Sequence, residues 1–191
     1  MDLRNFLFAN RSYTPIPIVI PLIYFSRIMV KFSLFGILLI IVGELIRLNA
    51  VRYAGGRTRT TKVGAPSLCT TGPYARIRNP LYVGNLIIYC GIIFFAGGPY
   101  MLELLIIVFL FFTFQYSMII DLEEEKLEKL FDIEYVIYKN NVPKLIPRYT
   151  PWINNNKIEP STIKQTLKIE KRTLQNLLLM VLCILGKSLF L

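Results

Sequence analysis

The sequence predicts an all-α protein, a polytopic membrane helix bundle of four to five spanning helices in one domain covering residues 1–191. Three observations predict it. The 191-residue chain is 54% hydrophobic, with a mean hydropathy of +0.50, above the apolar share of an ordinary soluble domain. The apolar residues come in long runs: Phe32 to Ile46 carries only Glu44 as a charge, and Met101 to Ile120 only Glu103. Runs of about 20 such residues suffice to cross a hydrocarbon core roughly 30 Å thick. Finally, the charges collect between the runs, where they meet water.

Tyr13 to Val30 is apolar but interrupted by Pro15, Pro17 and Pro21, which predicts a kinked spanning helix or an interfacial segment. Phe32 to Ala50 is a spanning helix. Near its end Glu44 and Arg47, three apart, share a face and read as a snorkelling, orientation-setting pair. Val51 to Asn79 is a polar, basic loop with Gly55-Gly56, Gly64 and Pro66. Leu81 to Ala96 is a third apolar helix. The Gly97-Gly98-Pro99 break then turns the chain into a helix from Tyr100 to Ile120, so these two form an antiparallel hairpin.

From Asp121 to Tyr138, Leu122, Leu127, Leu130, Phe131, Ile133 and Val136 recur at near-helical spacing among charges, which predicts a helix leaving the membrane along its surface. Asn140-Asn141-Val142-Pro143 ends it, an extended stretch follows, and Trp152 suits an interface. Asn154 to Lys171 is polar, a linker and short helix. A last apolar helix, about 174–191, spans the membrane or lies in its interface.

The net charge of +10 follows membrane topology rather than nucleic-acid binding. Arg52, Arg57, Arg59, Lys62, Arg76 and Arg78 fill one loop without an acid, and Lys126, Lys129, Lys139, Lys144 and Arg148 another segment. Positive loops stay cytoplasmic, so both are expected on the cytosolic side. The N-terminal residues lack a long apolar stretch ending in small residues, so no cleavable signal peptide is expected. Cys69, Cys90 and Cys183 are scattered without metal-ligand or disulfide spacing. The chain has no histidine, which removes the commonest metal ligand and the commonest neutral-pH base.

Chemistry concentrates in two stretches, Gly72 to Gly84 (GPYARIRNPLYVG) and Asp121 to Glu125. Charged groups at a membrane border are costly unless they face water or a ligand. On the topology above, a basic, glycine-containing loop and a carboxylate cluster meet beside the hairpin. Such a site suits a water-soluble zwitterion, and it opens sideways to lipid for a hydrophobic second substrate.

Gly72-Pro73-Tyr74, Arg78-Asn79-Pro80-Leu81-Tyr82 and Gly84 resemble the signature G-x-Y-x-x-x-R-H-P-x-Y-x-G of the isoprenylcysteine carboxyl methyltransferases and their phospholipid methyltransferase relatives. Glu123-Glu124, Leu127, Phe131, Tyr135, Tyr138, Val142-Pro143 and Pro147 are similar to that family's second pattern, E-E-x-x-L-x-x-x-F-G-x-x-Y-x-x-Y followed by V-P and a later proline. The resemblance covers about residues 40–148. It implies a small membrane enzyme that uses S-adenosylmethionine, in a cofactor pocket at the cytosolic face, to methylate a lipidated or lipid-like acceptor. Carried over by position, Pro66, Ser67, Leu68, Cys69, Tyr74, Asn79, Pro80, Leu81, Tyr82, Asp121, Glu123 and Glu124 are the cofactor-binding candidates. Arg78 and Glu124 are the candidate catalytic residues, with Arg78 holding the cofactor carboxylate or orienting the loop. No metal is implied.

Two positions depart from the pattern. Asn79 replaces its histidine, and an amide binds but does not titrate. Asp132 replaces a glycine, which reads as a mild change because Asp tolerates turns.

A carboxylate acceptor needs no general base, being ionised at neutral pH, whereas an ammonium must first lose a proton. Without histidine, a carboxylate, thiolate or otherwise pre-ionised acceptor is favoured over an amine, and the resemblance to the carboxyl methyltransferases makes O-methylation the leading reading. Phospholipid N-methylation, a non-enzymatic membrane protein retaining the fold, and a nicotinamide-dependent membrane reductase are the alternatives. The acceptor's identity and the oligomeric state are not read from these residues.

Overall fold

The computed structural model describes residues 2–55, 67–153 and 158–190. Pro66, with Gly56, Arg57, Arg59, Lys62 and Gly64 of the basic loop, lies outside the described residues, as does the stretch 154–157. The order is α1 (Leu3–Asn10), α2 (Ile16–Tyr24), α3 (Val30–Ala54), a short 3-10 turn (Gly72–Ala75), α4 (Pro80–Ala96), α5 (Met101–Asn141) and α6 (Ile163–Phe190). No strand occurs among the described residues.

Of the described helices, α3 and α5 are long and apolar enough to cross a membrane, and α4 is a shorter apolar helix. The proline-broken segment forms only the nine-residue α2. At 1.5 Å per residue that is about 14 Å, too short to span. The C-terminal helix begins at Ile163, earlier than its apolar run, so its first turns are polar.

α3 and α4 pack antiparallel through four glycines. Gly36 faces Gly91 and Gly43 faces Gly84, a spacing of seven on both helices. A Cβ on Gly36 would sit 2.5 Å from the Gly91 carbonyl oxygen, and one on Gly43 would sit 2.8 Å from that of Gly84. Both are closer than real Cβ atoms approach, so side-chain-free positions let the two backbones touch.

The predicted hairpin is present: α4 ends at Ala96, α5 begins at Met101, and both share one apolar core that includes Ile92, Val108, Phe112 and Tyr116. Gly97 at φ 60° and Gly98 at φ 94° make the turn. It is pinned to the α2–α3 connection by an Arg27 N–H to Ala96 carbonyl bond of 2.9 Å.

Glu44 and Arg47 form the expected pair at 3.5 Å, but not at a snorkelling position. Both are buried, and Arg47 also pairs with buried Glu170 of α6 at 2.5 Å. The reason is packing: α6 lies against α3 and supplies a carboxylate from within the bundle.

α5 runs as 41 residues with one non-helical break, Asp132 at φ 42°, ψ −120°. The substitution is therefore not mild. This conformation lies outside the left-handed helical well that Asp tolerates and costs a side-chain-bearing residue about 1–3 kcal/mol. Beyond the break, Tyr135, Tyr138 and Val142 bury against Leu68, with Leu127, Phe131 and Trp152 packed around them.

Candidate functional site

The two stretches singled out in the sequence meet at the α4 N-terminus. Pro80 occupies the first turn of α4, where a missing N–H leaves nothing unsatisfied. Arg78 and Asn79 therefore precede the helix and point at α5. Arg78 donates from Nε to Glu124 Oε1 at 3.0 Å and from Nη2 to Oε2 at 3.2 Å. Its Nη1 donates to the Lys139 and Val142 carbonyls at 2.9 and 2.5 Å, which are carbonyls of the α5 C-terminus that lack helical partners. A guanidinium there also complements the negative end of the helix dipole. Asn79 Nδ2 donates to Glu124 Oε1 at 3.3 Å and to the Lys144 carbonyl at 3.2 Å.

Backbone bonds fasten the same junction. The Arg78 N–H reaches the Pro143 carbonyl at 3.0 Å, Arg148 N–H the Arg76 carbonyl at 2.9 Å, and Trp152 N–H the Ala75 carbonyl at 2.8 Å. The Tyr138 hydroxyl donates to the Tyr74 carbonyl at 2.8 Å. Burial pushes the Tyr135 and Tyr138 hydroxyls well above the ordinary tyrosine range, so both stay protonated donors.

Glu124 is thus buried and committed to Arg78 and Asn79. Its neighbour Glu123 is half-buried and interacts with the Tyr82 hydroxyl instead. Burial, with the adjacent Glu124 charge, raises the Glu123 carboxyl to about 7 against the opposing pull of Tyr82 and Arg11. Asp121 is exposed and paired with Lys144. Ser67, Cys69, Tyr74 and Leu81 are half-buried, and Leu68 and Pro80 are buried. Gly84 makes room for the Arg47 stem, whose Cγ would lie 2.5 Å from an added Cβ.

Sequence reasoning missed the N-terminal contribution. Leu7 and Phe8 of α1 bury against Ile119, with Tyr82, Met118 and Leu122 beside them. Arg4 pairs with Glu125, and Arg11 interacts with Glu123 and Tyr82. The available signal was the spacing of Arg4 and Arg11, two helical turns apart around an apolar pair.

Two concavities lie away from this junction. One is an apolar slot between α2, α4, α5 and α6, lined by residues such as Ile18, Tyr89, Phe112 and Met180. The other is an open surface groove at Glu125, Glu128, Lys129 and Asp132. Among the described residues no group of three or more His, Cys, Asp or Glu is placed to hold a metal ion.

Residues 32–134 match the family model described as phospholipid methyltransferase. The chain is 34% identical over 119 residues to the protein-S-isoprenylcysteine O-methyltransferase of Saccharomyces cerevisiae, covering 60% of this chain and 48% of that protein. It is 31% identical over 123 residues to the cobalt-zinc-cadmium resistance protein CzcN of Cupriavidus metallidurans, covering 64% of this chain and 51% of that one. It is 30% identical over 125 residues to the nickel-cobalt-cadmium resistance protein NccN of Alcaligenes xylosoxydans xylosoxydans, with coverages of 65% and 53%. The chain spans about half the length of the curated relatives it matches. No solved structure matches it.

Proposed function

Because the chain belongs to the phospholipid methyltransferase family of membrane methyltransferases, we propose that it methylates a carboxylate on a lipidated or lipid-like acceptor, using S-adenosylmethionine. The observation that carries this reading is the meeting of the two family stretches: Arg78 and Asn79 grip Glu124 while Tyr82 engages Glu123.

The donor set fits the cofactor. Glu123 and Tyr82 offer an acceptor and an aromatic hydroxyl to an ammonium and a ribose, Tyr74 interacts with Tyr82, and half-buried Ser67, Cys69 and Leu81 are proposed as further walls. Bound there, S-adenosylmethionine supplies an electrophilic methyl group on a sulfonium. The chain's contribution is alignment, worth several kcal/mol in an in-line displacement. Arg78, with four of its five N–H donors used (Nε, both on Nη1, one on Nη2), and Glu124 act by fixing the junction. Asp121, beside Lys144, is the outer rim of the same site. We place this end of the bundle on the cytoplasmic side, where its excess of lysine and arginine belongs, with α4 and the apolar part of α6 as further crossings.

A second reading rests on Glu123. A carboxyl that titrates near 7 suits a proton acceptor, which favours N-methylation of an amine headgroup. One experiment separates the two. Membranes containing the protein are incubated with methyl-tritiated S-adenosylmethionine, and the extracted label is treated with base. Volatile tritiated methanol supports the carboxylate reading. Base-stable label in phospholipid supports the amine reading. No protein-dependent label, together with no cofactor binding by calorimetry, overturns both.

A further inference from the structure

Resting on that reading, we infer that Arg11, from outside the matched residues 32–134, is a binding residue of the site, and that Arg11 and Glu123 together hold the α-amino-acid end of the cofactor. α1 has eight residues, too few for stability alone, so packing sets its position. Leu7 and Phe8 seat it on Ile119 beside Tyr82.

That seating delivers Arg11 ready-placed. Its guanidinium lies 4.0 Å over the Phe8 ring, and Nη1 donates to the Phe8 carbonyl at 2.8 Å. The ring contact and the carbonyl bond fix the stem and leave the charge acting on Glu123 and Tyr82. A guanidinium beside a carboxylate is complementary to an α-ammonium carboxylate, which presents the same two charges in reverse on one carbon.

Four other described cations near this site are engaged elsewhere. Arg78 is held by Glu124 and two carbonyls. Lys144 pairs with Asp121, Arg4 with Glu125, and Lys139 with Glu128. Arg11 is the cation directed at the acid that Tyr82 binds.

The test uses the full-length protein in detergent and calorimetric binding of two probes, S-adenosylmethionine and its decarboxylated analogue. Wild type is expected to prefer the carboxylate-bearing probe by about tenfold or more, the scale of a hydrogen bond to a charged group. Arg11→Gln is expected to lose most of that preference by weakening the first probe alone, Arg11→Lys to keep part of it, and Arg4→Gln to behave as wild type. Retention of the full preference in Arg11→Gln overturns the inference. Equal loss of both probes also overturns it, since that marks a packing role, and so does a wild type that binds both equally. A wild type that binds neither probe instead overturns the methyltransferase reading on which the inference rests.

Discussion

Arg78 and Glu124, 46 residues apart in sequence, form a two-pronged ion pair at 3.0 and 3.2 Å with both side chains 9% exposed. The pair closes the junction between the α4 N-terminus and the far end of α5. A buried pair is weak evidence of stabilisation when it is compared with a well-packed apolar replacement. Breaking one partner is different, because it strands the other charge.

Glu124→Ala is therefore expected to lower stability by about 3–5 kcal/mol. Arg78→Lys, which cannot fork, should also be damaging. Lys144→Gln, removing the exposed partner of Asp121, should cost no more than about 1 kcal/mol. Thermal unfolding in detergent ranks the three. A Glu124→Ala protein as stable as Lys144→Gln would remove the junction role.

Asp132→Gly should stabilise the protein. The backbone at φ 42°, ψ −120° is one that glycine adopts freely. Relief of about 1 kcal/mol corresponds to a melting increase of about 2–4 °C for a chain of this size. Asp132→Ala keeps the Cβ and should give no such gain. An unchanged or lower melting temperature for the glycine variant contradicts the assignment of strain.

Glu123 should make part of the stability fall as pH rises. Its carboxyl is raised from 4.5 to about 7 in the folded protein. Between those values the unfolded chain has lost the proton and the native state keeps it, so ionisation opposes folding progressively across that window and fully above it. The readout is the difference between wild type and Glu123→Gln: the variant should gain on wild type from pH 4.5 to 7. A constant difference would mean that Glu123 titrates normally.

Gly36→Ala should be more damaging than Gly84→Ala. At Gly36 the added methyl meets the backbone of Gly91 and Phe95, which cannot yield without parting the helices. At Gly84 the nearest atom is a side-chain atom, Cγ of Arg47, with a single backbone atom, the Gly43 carbonyl oxygen, 3.0 Å away. Overpacking of this kind costs about 1–3 kcal/mol. Paired melts of the two variants test the order.

Much of the candidate site was legible because its chemistry is written in residue types at fixed spacings. Arg78-Asn79-Pro80 and Glu123-Glu124 announce a helix start and an acid pair, and both stretches do converge. The division of labour between the two glutamates was not legible. Adjacent residues on a helix point about 100° apart, so Glu124 enters the Arg78 fork while Glu123 reaches Tyr82, and only the rotation of α5 against α4 assigns which does which. Arg11 was illegible for a related reason. Nothing local ties an eight-residue helix to an acid more than a hundred residues away; the contact of Leu7 and Phe8 with Ile119 does.

The sequence by itself determined the helical class, the hairpin and its glycine turn, and the family stretches, because hydrophobic runs, turn residues and charge spacing act through neighbours in the chain. The tertiary structure decided that α2 is too short to span, that Arg47 is buried with a carboxylate from α6, that Asp132 sits in a glycine conformation, and that α1 brings a guanidinium to Glu123. Each of these depends on packing between segments distant in sequence. Burial and orientation are properties of the surfaces that meet, and no local pattern encodes which surfaces those are.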